Sequence, residues 1–223
     1  MRAIVAVALV GFVPSISILG SLVYSENELF SQVFFLSCKA WIFAVPTFWF
    51  LTVEGNPRSR SPASREGLQL GAITGLGMSS IIIVVWLLLG QTIDRASMIA
   101  ELEETGLTNI RLYIAGMLYW IFFNSLLEEY VFRWFITTKG LEIFGNEFGA
   151  ISLSAVMFTI HHTLALHIFG FEIWQTIVAS FGLLCAAAIW SWLYTKHKSI
   201  WVCWLSHAIC DVAVFGIGYQ IIF

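Results

Sequence analysis

Apolar residues gather in seven runs, approximately 3–24, 30–53, 68–90, 110–138, 148–169, 172–194 and 199–222, each near the ~20 residues that cross hydrocarbon as a helix. A bilayer core offers no water to backbone N–H and C=O groups, so segments of this length satisfy themselves as α-helices. The expected fold is therefore an all-α polytopic bundle of about seven transmembrane helices, with six to eight compatible with the pattern. Composition agrees: 59% of the 223 residues are hydrophobic and 11% are charged, against about a quarter charged in a soluble domain. The length suits one transmembrane domain over 1–223, with no room for a sizeable soluble domain beside it. The expected surroundings are a lipid bilayer, and nucleic acid is not an expected ligand.

The segments between the runs assign sides. Arg58, Arg60 and Arg65 follow the second run, and Lys196 and Lys198 follow the sixth; loops rich in Lys and Arg stay cytoplasmic. Seven spans then put the amino terminus inside and the loop carrying Asp94, Glu101, Glu103 and Glu104 outside. Arg2 ahead of an apolar run resembles a secretory signal, but no small-residue cleavage pattern precedes Ser25-Glu26-Asn27-Glu28, so a retained first helix is expected. Residues 55–67 are a hydrophilic connector rich in Gly, Pro, Ser and Arg. Residues 94–107 place Met98, Ile99, Leu102 and Leu107 at helical spacing among charges, which predicts a short amphipathic helix on the outer surface. Cys38, Cys185, Cys203 and Cys210 fall in apolar runs without zinc-site or disulfide spacing and read as small hydrophobes. Lys39 is an isolated charge in the second run; it either snorkels to the outer surface, the expectation here, or approaches a carboxylate.

Charge inside a span costs several kcal/mol unless it is paired or faces a wet cavity, and so marks function. The fourth run holds Glu128, Glu129 and Arg133; the fifth holds His161 and His162; the seventh holds His207 and Asp211. At ~1.5 Å rise per residue, Glu128, His162, His207 and Asp211 share one layer near the midplane. Asn124, Glu128 and Phe132 recur on one helical face, and Glu129 and Arg133 form an i, i+4 pair on the adjoining face. Glu129 thus has a local counter-ion, while Glu128 is freer to exchange protons as a general base. His207 and Asp211 lie one turn apart, so the carboxylate can orient the imidazole or hold a substrate group. Phe158 lies one turn from His162 and can wall the cavity beside it. His161 reads as a polar neighbour.

The ordered set Glu128-Glu129-x-x-x-Arg133, Phe158-x-x-x-His162 and His207-x-x-x-Asp211 resembles the signature of the CPBP family of intramembrane proteases, which includes the type II CAAX prenyl endopeptidases. The matched core runs from about 110 to 215. The resemblance implies that Glu128 activates the attacking water with help from His162. It implies that His207 and Asp211 bind the developing oxyanion or hold the geometry, with Glu129, Arg133, Phe158 and Asn124 in support. The family pattern often has Asn where Asp211 stands, and an ionised Asp cannot donate to an oxyanion. Glutamate chemistry requiring no cofactor is favoured; a divalent metal such as zinc is the alternative, with Glu128, His162 and His207 as its conditional ligands. The implied substrate is a membrane-embedded or lipid-modified protein or peptide, and the implied setting is a multi-pass protein of a bacterial inner membrane. Two other functions fit the same charges: a proton- or ion-coupled transporter using the layer as a relay, and a non-catalytic immunity or assembly factor that retains the family fold.

Overall fold

The computed structural model describes residues 1–24, 27–58 and 60–223. Ser25 and Glu26, part of the polar stretch behind the first run, lie outside the described residues, as does Ser59 of the connector. Among the described residues, seven helices are long and apolar enough to cross a membrane: Arg2–Val23, Glu28–Val53, Arg65–Thr92, Ile110–Phe144, Glu147–Ile168, Ile173–His197 and Ile200–Ile222. They are called the first to seventh spans below. The protein is all-helical, and no strand occurs among the described residues.

Capping residues explain why the helices start outside the apolar runs. Asn27 accepts from the Phe30 N–H at 2.9 Å and Ser64 from the Gly67 N–H at 3.0 Å, so the second and third spans begin at charged residues that hydropathy leaves out. The surface helix Arg95–Glu104 is capped by Asp94, which accepts from Ala96 and Ser97. Its Met98 is buried while Ile99 and Leu102 are half-buried, the amphipathic arrangement expected from their spacing.

The fourth span departs most from expectation, continuing to Phe144 rather than ending near 138. Hydropathy falls at Thr137-Thr138-Lys139, but Lys139 is buried and pairs with Glu54 and, at 2.5 Å, with Glu142. The helix stops at Gly145, whose φ of +67° is a left-handed cap. Within the span, π-helical turns at Trp120–Asn124 and Glu129–Thr137 flank Ser125–Glu128. Such widened turns occur often at functional sites. Here the Phe132 carbonyl accepts from the Thr137 hydroxyl at 2.9 Å and the Ser154 hydroxyl at 2.8 Å, two partners inside the widened stretch.

Small residues hold the third span against the seventh. A methyl group on Gly71 would stand 2.5 Å from the Val202 carbonyl oxygen, and one on Gly75 would stand 2.8 Å from that of Ser206. Only glycine permits this backbone approach. It matters because helix association in lipid relies on close van der Waals contact and interhelical hydrogen bonds. Thr74 bonds the Ser206 hydroxyl at 3.0 Å, and Ser79 donates to the Ile209 carbonyl at 3.0 Å. The seventh span is thereby fixed in rotation, and His207 turns toward the fourth span. All four cysteines are free thiols; Cys203 and Cys210 are buried and Cys185 is exposed on the bundle surface.

Candidate active site

Glu128 and Glu129 are neighbours in sequence but have different surroundings. Glu129 is fully buried. Its Oε2 lies 3.2 Å from Arg133 Nε, and its Oε1 accepts from His207 Nδ1 at 2.8 Å. Glu128 retains 9% exposure. Its Oε1 accepts from Asn124 Nδ2 at 2.8 Å and faces His161 Nε2 at 3.8 Å, while Oε2 faces His207 Nε2 at 3.9 Å. The carboxylate without a close counter-ion is thus also the slightly less buried of the two.

His207 connects the two carboxylates. Its Nδ1–H is donated to Glu129, which fixes the ring and leaves Nε2 between Glu128 and Asp211, whose Oδ1 lies at 3.5 Å. Asp211, expected to orient the imidazole or hold a substrate group, lies against it, but Glu129 makes the shorter contact, on the other nitrogen. Asp211 shares the Nε2 edge and is half-buried. Trp190 stacks on His207, the two rings 4.1 Å apart and inclined by 19°. No sequence motif marks Trp190.

The fifth span contributes both histidines. His162 donates Nδ1–H to the Phe158 carbonyl at 3.0 Å, one helical turn back, and packs its ring 4.3 Å from that of Phe158. The one-turn spacing thus brings the two rings into contact, with Phe158 itself fully buried. His161, a bystander by sequence, faces Glu128 and stacks against Phe132, with rings 5.4 Å apart. Its adjacency to His162 is the only signal the sequence offers, and a turn of ~100° per residue sets it on a different face of the helix.

Glu128, His161 and His162 each offer a ligand atom within 4.8 Å of the others. The conditional metal set inferred from sequence is Glu128, His162 and His207; the group whose donor atoms lie close together shares Glu128 and His162 with it and has His161 in the third place. His207 is not in that group, although with Nδ1 on Glu129 its Nε2 stays free. Two imidazoles, each with Nδ1 against a backbone carbonyl, plus one carboxylate make a donor set chemically suited to a divalent cation.

Lys39 also corrects an expectation. Rather than snorkelling outward, its Nζ donates to Asn124 Oδ1 at 2.5 Å. The pull of a polar acceptor inside the bundle exceeds that of the interface because the ammonium is already at the depth of the site.

Arg133 is fully buried beneath this layer. Its guanidinium lies 4.7 Å from the Phe158 ring centre and 5.3 Å from that of Trp190, and Nη1 approaches the Ser154 hydroxyl at 3.4 Å. Arg133 and Glu129 are therefore the fully buried members of the site, with His162 and Asp211 half-buried and Glu128 between.

Residues 110–213 match the model of the Rce1-like family, described as type II CAAX prenyl endopeptidase Rce1-like. The match covers just under half of the chain and contains every residue of the three motifs. No curated protein and no solved structure matches the chain.

Proposed function

We propose that this chain, whose residues 110–213 match the model of the Rce1-like family, is an intramembrane endopeptidase that hydrolyses a peptide bond of a membrane-embedded or lipid-modified substrate. The carrying observation is the different tethering of the adjacent carboxylates: Glu129 is tied to Arg133 and His207, whereas Glu128 is held only by Asn124 and faces the His161 and His207 rings. Glu128 takes a proton from a water molecule as that water attacks the scissile carbonyl carbon. The carbonyl oxygen becomes an oxyanion, and His207 Nε2, when it carries a proton, is aimed at the space where that charge develops. Collapse of the tetrahedral species breaks the C–N bond. The proton held by Glu128 passes to the leaving nitrogen, giving a carboxylate and an amine. His162, with Nδ1–H committed to Phe158, presents its other nitrogen to the water. Asp211 supports the Nε2 edge of His207.

Should a divalent cation such as zinc be held, Glu128, His161 and His162 would hold it, and the ion would supply Lewis acidity to the carbonyl and a more acidic bound water.

Purified protein in liposomes, presented with a membrane-anchored peptide, tests both points. Hydrolysis that persists after exhaustive chelation is expected. Loss on chelation with recovery on adding zinc would transfer the site to the metal mechanism, and ion flux without hydrolysis would favour a relay.

The loop charges support an orientation with the amino terminus on the cytoplasmic side, and the family resemblance supports a bacterial inner membrane. Ala63 and Thr105 are both exposed, one in each of the two loops that carry the argument. Ala63→Cys is expected to react with an impermeant thiol reagent only from the cytoplasmic side, and Thr105→Cys only from outside. The reverse pattern would overturn that orientation.

A further inference from the structure

We propose that Lys39 is a positioning residue of the catalytic centre, its ammonium holding the Asn124 carboxamide in the one orientation that donates to Glu128. The inference rests on the protease reading of Glu128. Lys39 belongs to the second span, outside the matched region 110–213, so neither the family signature nor the motif spacing points to it.

The chain of contacts is short and directional. Lys39 Nζ donates to Asn124 Oδ1 at 2.5 Å, and Asn124 Nδ2 donates to Glu128 Oε1 at 2.8 Å. A carboxamide is nearly symmetric in shape but not in polarity: one end accepts and the other donates. An ammonium has only donors, so it selects the acceptor end and leaves the NH₂ end for the carboxylate. The flipped amide would set its NH₂ against the ammonium and its carbonyl against Glu128, two unfavourable contacts in place of two favourable ones.

Besides Asn124, the ammonium feels the charge of Glu128 directly, an attraction that acts in the same direction as the amide relay. It also lies 5.2 Å from the centre of the Phe35 ring on the same helix, an apolar flank with a weak attraction for the cation. A charge at this depth is costly, and the protein places it against Asn124. The result for Glu128 is a fixed rotamer: Oε1 is held by Asn124, so Oε2 is the oxygen directed toward His207 Nε2 and the reacting water. The half of the chain that carries no catalytic motif thus enters the site through one side chain.

The same proteoliposome assay tests this with Lys39→Met, Lys39→Arg and Asn124→Leu. Lys39→Met is expected to lower kcat about tenfold with KM within about twofold, the size of effect that follows loss of a hydrogen bond to a charged group in a supporting network. Lys39→Arg, which keeps a donor cation, is expected to recover most of that loss. An unchanged kcat in Lys39→Met overturns the proposal, as does an equal loss in Lys39→Arg. Thermal unfolding of Lys39→Met, Asn124→Leu and the double variant gives a readout independent of cleavage. The double variant is expected to unfold no earlier than the worse single one, and strictly additive losses overturn the contact. Coupling in a wild type that hydrolyses nothing would overturn the protease assignment of Glu128 while leaving the Lys39–Asn124 placement intact.

Discussion

Glu128→Gln is expected to remove proteolysis while leaving the fold in place. General base catalysis by a positioned side chain contributes typically ~10²–10⁴-fold, and Gln cannot take a proton from water. The change is nearly isosteric, and the amide oxygen of Gln still accepts from Asn124 Nδ2 as Oε1 does in the wild type. The unfolding temperature should therefore stay close to that of the wild type. The informative experiment compares the termini of membrane proteins in host cells carrying wild type or Glu128→Gln at matched expression. New termini confined to the wild type would identify both the substrate class and the dependence on Glu128. Identical sets of termini, with both proteins folded and inserted, would count against an endopeptidase and favour the relay or immunity functions. Glu129→Gln provides the contrast: its loss should appear in stability as well as in turnover, because Glu129 is bound to Arg133 and His207.

The parts of this molecule legible in sequence are those governed by a single strong term. Span positions follow from hydropathy, and the pairing of Glu129 with Arg133 follows from i, i+4 spacing on any helix. The convergence of the fourth, fifth and seventh spans is legible because each contributes ionisable groups at one depth, where isolation is costly. Rotation of one helix about its axis relative to another is not written in that way. Spacing matches His207 to Asp211, its neighbour one turn along, whereas the interhelical distance to Glu129 is shorter. The glycines at 71 and 75 set how the seventh span is turned, and their effect depends on a partner helix that local pattern does not specify. His161 and Lys39 mislead for the same reason. Each is placed in sequence by its own helix alone, and each finds its partner on the fourth span. The extended end of that span escapes hydropathy because Lys139 looks like a terminator, while burial against Glu54 makes it part of the packing.

Arg133→Leu is expected to be the most destabilising single change in the site. Arg133 and Glu129 are both fully buried, and the guanidinium lies against the Phe158 and Trp190 rings. Removing one partner of such a pair leaves an uncompensated charge and costs about 3–5 kcal/mol, with a further loss of cation–π attraction of about 1 kcal/mol. Leu fills part of the volume but offers nothing to Glu129 Oε2, which Arg133 alone approaches as an ion-pair partner among the described residues. Arg133→Lys should recover only part of the loss, since a point ammonium cannot span Glu129 and Ser154 as the planar guanidinium does. The double variant Arg133→Leu, Glu129→Leu removes both charges and should be more stable than Arg133→Leu alone. It should nevertheless be inactive, because His207 Nδ1 loses the acceptor that fixes the ring. Folded yield and unfolding temperature in detergent or nanodiscs measure the first effect, and cleavage measures the second. If Arg133→Leu unfolds at the wild-type temperature, Glu129 must find its compensation elsewhere and the pair is not what stabilises this layer. If the double variant regains stability and activity together, His207 does not depend on Glu129 for its orientation.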